Sequence, residues 1–251
     1  MVQVGKLALP GDDLVWTATV SMTDEDADYP ATNVQHWNPA RLAKATASST
    51  TVTIDCSGNV TPVAVALINT NATSAAISNA AGLNQAITIP ALEADGQRIH
   101  GWQSLIGLSN VTDDIFDIDL SRPSGVVTIG RIALVVQVYD VNWVPGHVVG
   151  IDRPGNVALR TRLGTVIVHD AGIRVRSVDA TFDLAEDAPV WRGLERSAKG
   201  EALPFLFIPD DTQNDAWWVR LDPSFRERSG LPGFMSLPRR MTELSSGPPN
   251  G

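Results

Sequence analysis

The sequence predicts an all-β protein: an antiparallel β-sandwich over residues 1–145, then a smaller β-rich domain over 146–244 with one short helix near 187–199. Three observations predict it. Short apolar runs with period two recur along the chain, punctuated by Gly, Pro, Asn and Asp. One run, 63–68, is continuously apolar, as a strand covered on both faces would be. Apolar spacing of three and four residues, the helical signal, is well supported in one place only.

Val52, Ile54 and Cys56 alternate with Thr51, Thr53 and Asp55, which predicts a strand with one dry face. Phe116, Ile118 and Leu120 alternate with Asp117 and Asp119, giving a dry face and an acidic one. The span 126–138 is rich in β-branched residues and contains Gly130, the expected place for a break. The segment 70–82, rich in Ala, Asn and Ser, reads as a loop. Gly and Pro concentrate at 145–155, where the second domain is expected to begin. Beyond it, Gly164 splits a hairpin, and a phase slip near Ser177 predicts a β-bulge. Asp187 as N-cap, Pro189 in the first turn and a stop at Gly200 bound the helix, with Trp191, Leu194 and Ala198 on one face. Trp217 and Trp218 must point to opposite faces of one strand, one into the core and the other to an edge or interface. Residues 245–251 (SSGPPNG) read as a flexible tail.

The 251 residues carry a formal net charge of −9, and their basic residues gather in pairs at most, such as Arg239 with Arg240. That balance argues against nucleic acid, whose recognition needs a positive patch to displace counterions. No apolar run is long enough to span a bilayer, so membrane insertion is not expected. Cys56 is the only cysteine, which excludes an internal disulfide and points to a reducing cytoplasm as the place of assembly.

Catalytic signatures are missing. There is no G-x-S-x-G elbow, and His36, His100, His147 and His169 lie far apart in sequence, so no enzyme is expected. Cys56 falls on the apolar side of its strand and reads as a small core residue. Asp24, Asp26 and Asp28 imitate the opening of a calcium loop, but Tyr29 stands where the turn glycine belongs and Gln35 where the bidentate glutamate belongs. A solvated acidic loop is the preferred reading and no cofactor is expected. A weak Ca²⁺ site there, or at Asp113, Asp114 and Asp117, is the alternative. Trp37 and Trp102 fall in expected loops beside His36 and His100, and a flat ring next to hydrogen-bonding groups is how sugar platforms are built. Core or interface packing is the competing role for each tryptophan.

Tyr29–Val34 (YPATNV), then Thr51–Cys56 (TVTIDC), then Val63–Asn71 (VAVALINTN) together resemble the galactose-binding-like (discoidin-type) sandwich, in the combination carried by bacteriophage tail proteins. Cys56-Ser57-Gly58 stands where that pattern has Leu-Gly, and Asn69-Thr70-Asn71 where it has Asn-His-Asn. Ile129–Ile132 (IGRI), Leu203–Asp211 (LPFLFIPDD), a Trp-rich strand and Glu243 extend the resemblance to residues 14–244. It implies a minor tail or baseplate protein of a virion tail, packed as a homo-oligomeric ring with other tail proteins. The alternative is a tail module that binds host-surface glycan, with Trp37, Trp102, His36 and His100 as candidate contacts read from the residues and not from the resemblance. A glycan-degrading enzyme, which would need a close carboxylate pair, is the less favoured third reading.

Overall fold

The computed structural model describes residues 3–90, 99–152, 157–160, 166–169, 175–183, 190, 193–194, 196, 203–209, 216–221 and 236–243. Seventeen strands account for most of them. The first ten are β1 (Gln3–Ala8), β2 (Thr19–Met22), β3 (Ala43–Lys44), β4 (Ser49–Val60), β5 (Ala64–Thr70), β6 (Ser74–Asn79), β7 (Asn84–Ile87), β8 (Ile99–Ser104), β9 (Asp113–Ser121) and β10 (Thr128–Val135). The remainder are β11 (Tyr139–Asp152), β12 (Val157–Arg160), β13 (Val166–His169), β14 (Val175–Asp183), β15 (Phe205–Ile208), β16 (Trp217–Leu221) and β17 (Ser236–Glu243). Every pairing between them is antiparallel.

A five-stranded sheet (β2-β4-β9-β6-β7) and a four-stranded sheet (β3-β10-β5-β8) face each other as a sandwich. The expected alternation sets its core: Val52 and Ile54 of β4 and Phe116, Ile118 and Leu120 of β9 point inward against Val65, Leu67, Ile132 and Leu134. Their polar neighbours pair across the outer face, where Thr51 Oγ1 donates to Asp119 Oδ1 at 2.6 Å and Thr53 Oγ1 to Asp117 Oδ1 at 2.7 Å. The segment read as a loop contains β6, which sits between β9 and β7. Its inward residues, Ala75 and Ile77, are too few for a strand signal in the sequence, and backbone pairing to β9 supplies what the side chains lack.

The remaining strands, apart from the hairpin β12–β13, pair in a closed cycle, β1-β11-β14-β17-β16-β15. β1 opens the chain yet lies between β11 and β15, so strands on both sides of the division expected at residue 145 share this cycle. The bulge expected at Ser177 is displaced. β14 pairs with β17 without interruption from Ser177 to Asp183, and the register shift falls instead in β11, between Pro145 and Val149. The expected helix lies largely outside the described residues. Its described positions 190, 193, 194 and 196 are helical, and Leu194 is buried against Leu7, Phe205 and Trp217. The tail 245–251 lies outside the described residues.

β1, β15 and β16 have two dry faces. Leu7, Phe205, Phe207, Trp217 and Val219 point into the core of the cycle, while Ala8, Leu206, Ile208 and Trp218 point out of it. The outward set packs against Ala64, Ala66 and Ile68 of β5, Trp102 of β8, and Ala133 and Val135 of β10. This seam explains the unbroken apolar run of β5: one face belongs to the sandwich core and the other to the seam. Alanines let the sheets approach and tryptophans fill the space between them. Trp217 and Trp218 do point to opposite faces, and both faces are buried because this strand lies between two apolar layers.

Candidate functional site

A buried ion pair lies at the seam. Arg131 of β10 has no exposed surface, and its Nη2 donates to Asp13 Oδ2. The guanidinium carbon stands 4.1 Å from the Trp16 ring centre and 4.9 Å from that of Trp218, so one ring from each side of the seam offers it a π-face. Asp13 also accepts the backbone N–H of Val15 at 3.1 Å and of Leu134 at 3.2 Å, through Oδ1. Two N–H donors and a guanidinium therefore satisfy one carboxylate, the arrangement that lets a charge remain dry. Nothing here resembles a nucleophile and its base; the chemistry is that of a fastener.

Above this seam runs the loop that carries Trp37. A 3-10 turn over Ala31–Gln35 precedes it, anchored by Gln35 Nε2, which donates to the carbonyls of Val15 and Ala18 at 2.8 and 2.7 Å. Asn33 Nδ2 donates to Leu42 O at 2.8 Å, closing the loop from the other end. Trp218 Nε1 donates to the Trp37 carbonyl at 2.9 Å, fixing the loop to the second half of the chain. Trp37 itself is 43% exposed. His36 packs beside it with ring centres 5.3 Å apart. His36 Nδ1 accepts the Asn38 N–H at 3.1 Å, which leaves the proton of the neutral ring on Nε2. Partial burial, then the Arg41 charge, hold the His36 pKa below the ordinary histidine value, so at neutral pH it is an uncharged donor.

The four sequence candidates divide. Exposed Trp37 and half-buried His36 come together as a ledge. Trp102 does not join them: it lies in β8, not in a loop, and is only 6% exposed within the seam. His100 is likewise in β8, and its Nδ1 accepts the Asn69 N–H at 2.9 Å, bridging the register shift between β5 and β8. The polar neighbours that suggested a platform at Trp102 serve the strand backbone instead. Sequence reasoning missed Asp13, Trp16 and Arg131. Only the lone charge of Arg131 inside an apolar strand hinted at them.

The metal alternatives meet other partners. Asp26 Oδ1 accepts the Asp28 N–H at 3.1 Å, and its Oδ2 lies 3.5 Å from Lys44 Nζ. Asp113 accepts the N–H groups of Asp114 and Ala81. Among the described residues no three His, Cys, Asp or Glu side chains converge on one point. Cys56 is half-buried against the sandwich core. Burial, then the neighbouring Asp55, push its thiol above the ordinary cysteine range. A thiol reagent at neutral pH should therefore react slowly with the folded chain, with the rate rising only as the pH passes that of an ordinary thiol. Fast labelling at pH 7 would contradict this environment.

No family model and no curated protein matches the chain. Solved structures to which the chain is similar include the family 32 carbohydrate-binding module of Clostridium perfringens NanJ in complex with galactose. It is 15% identical, covers 51% of this chain and 98% of its own, and has a TM-score of 0.40. CpGH89CBM32-6, produced by Clostridium perfringens, is 19% identical and covers 50% of this chain and 99% of its own, with a TM-score of 0.37. Chitosan-binding module 1 from a chitosanase/glucanase of Paenibacillus sp. IK-5 is 12% identical, with coverages of 49% and 98% and a TM-score of 0.37. Likeness at this level assigns no ligand and no residue role to this chain, whose sandwich rests on its own strand pairings.

Proposed function

We propose that this chain is a non-catalytic recognition module of a phage-type tail, and that it contacts host-surface glycan through the Trp37–His36 ledge. The observation that carries the reading is the presentation of Trp37. Its backbone is tied to Trp218, its loop is closed at both ends, and the residue is nevertheless exposed. An indole held this way offers a flat apolar face to the C–H face of a sugar at little entropic cost. Neutral His36 adds a donor for a hydroxyl. The tail context is supported by the order of the sequence motifs from Tyr29 to Glu243, and it makes the virion tail the proposed location.

Trp37→Ala should strongly weaken binding to a glycan array or to host cells while changing stability by no more than about 0.5 kcal/mol, as for a surface substitution. Trp102→Ala should do the reverse and cost about 3–5 kcal/mol, because it empties the seam. Equal loss of stability in both variants, or unchanged glycan binding by Trp37→Ala, would reject the ledge.

A second reading, a purely structural tail-tip or baseplate component assembling in a ring with other tail proteins, is favoured by a different observation. Several residues that carry the tail resemblance lie at or beside the seam: Ile68 and Asn69, Gly130 and Arg131, and Phe205–Ile208. On this reading the motifs specify a rigid joint rather than a ligand. Particles lacking the chain would then be incomplete even where no glycan is bound.

A further inference from the structure

The five-stranded sheet turns a different chemistry outward. None of its strands contains a Lys or an Arg. At the end where β4 and β6 begin and β9 finishes, its outer face and the Thr23–Asp24 turn border an open concavity of about 380 Å³. Ser49, Ser121 and Ser74 stand abreast on three adjacent strands, so strand register alone aligns three hydroxyls. The next outward row is Thr51, Asp119 and Ala76, in which the Thr51 hydroxyl is already spent on Asp119. Ala76 is the smallest member of this lining and leaves its floor open. The rim is braced. Thr23 Oγ1 accepts the Thr51 N–H at 2.9 Å, and the Asp24 carbonyl accepts the Thr46 N–H at 2.7 Å. Asp24 holds a left-handed φ of 52° there, a conformation that short polar side chains tolerate.

This lining selects its ligand by chemistry. Two carboxylates with no cation in the lining repel phosphates and acidic sugars. No aromatic ring is available for stacking. What remains is an array of hydroxyls with a carboxylate among them, which suits adjacent hydroxyls, since a carboxylate accepts charge-assisted hydrogen bonds from both. The volume lies at the small end of ligand pockets, which begin at roughly 300 Å³. We infer that this Ser/Thr/Asp concavity is a second carbohydrate subsite, taking one neutral or aminated hexose unit. The inference deepens the glycan reading but shares no residue with the Trp37 ledge.

The test is an amide and indole chemical-shift titration of the full chain with galactose, glucosamine and, as the acidic control, glucuronate. The expected result is saturable binding on the order of millimolar Kd, with shifts at Ser49, Thr51, Ser74 and Ser121 and none from glucuronate. Asp119→Asn should weaken it about tenfold by removing one charge-assisted acceptor. Ser74→Tyr, which fills the concavity from an exposed position, should block it even if Asp119→Asn proves unstable. Shifts confined to the Trp37 indole would sink the subsite and leave the ledge standing. Shifts at the serines without Trp37 would do the opposite. Equal response to glucuronate, or no response at concentrations well above millimolar, would overturn the inference.

Discussion

Asp13→Ala should lower the unfolding free energy by about 3–5 kcal/mol, because it leaves a buried guanidinium without its counter-charge. Arg131 is enclosed by β10, Trp16 and Trp218, so the uncompensated charge cannot reach water by rotating its side chain. The same change orphans the N–H groups of Val15 and Leu134. The loss should fall first on the joint between the two halves, since Trp16 and Trp218 meet across the guanidinium with ring centres 6.4 Å apart. Urea unfolding read by tryptophan fluorescence measures it. Asp13→Ala combined with Arg131→Met should be markedly less damaging than the sum of the single changes, because the double variant has no charge left to desolvate. Strict additivity would mean that the pair acts as two independent packing residues and would reject the fastener.

Gly130→Ala should cost about 3 kcal/mol, near the top of the range for forcing one more carbon into a packed interior. A Cβ built at Gly130 would stand 2.1 Å from the Pro39 carbonyl oxygen and 2.9 Å from its carbon, so backbone has to move. That backbone is not free to give way, because Asn69 Nδ2 donates to the same carbonyl at 2.7 Å. Asn69 pays for the contact with a left-handed φ of 58°. β10 runs through Gly130 without a break and in one register with β5, yet its facing changes there. Ile129 faces the sandwich core, but Arg131, two residues on, faces the seam. A methyl group at this point therefore threatens both the Trp37 loop, two residues from Pro39, and the aim of Arg131. Thermal unfolding together with glycan binding checks this. A Gly130→Ala protein with unchanged stability and binding would show that the Pro39 loop relaxes freely.

Much of this architecture was legible because it is local. Period-two alternation identified the inward residues of β4 and β9, and the unbroken run of β5 announced a strand with two covered faces. Gly130 stood out as a break, but β10 continues through it, and its role follows from a carbonyl that only the fold brings near. The candidate site was half legible. Trp37 and Trp102 sit in equally polar stretches, and nothing nearby in the chain tells that one lies under a second layer.

Sequence by itself determined the β content, the parity of β4 and β9 and the acidic, hydroxyl-bearing outer face of those two strands, since these depend only on neighbours along the backbone. Tertiary structure alone decided that β1 joins β11 and β15, that β6 is a strand, that Trp102 is buried while Trp37 is presented, and that Asp13 meets Arg131 from 118 residues away. The physical reason is that alternation states which face of a strand is dry but not which surface dries it. That choice is made by backbone pairing and packing between segments far apart in the chain.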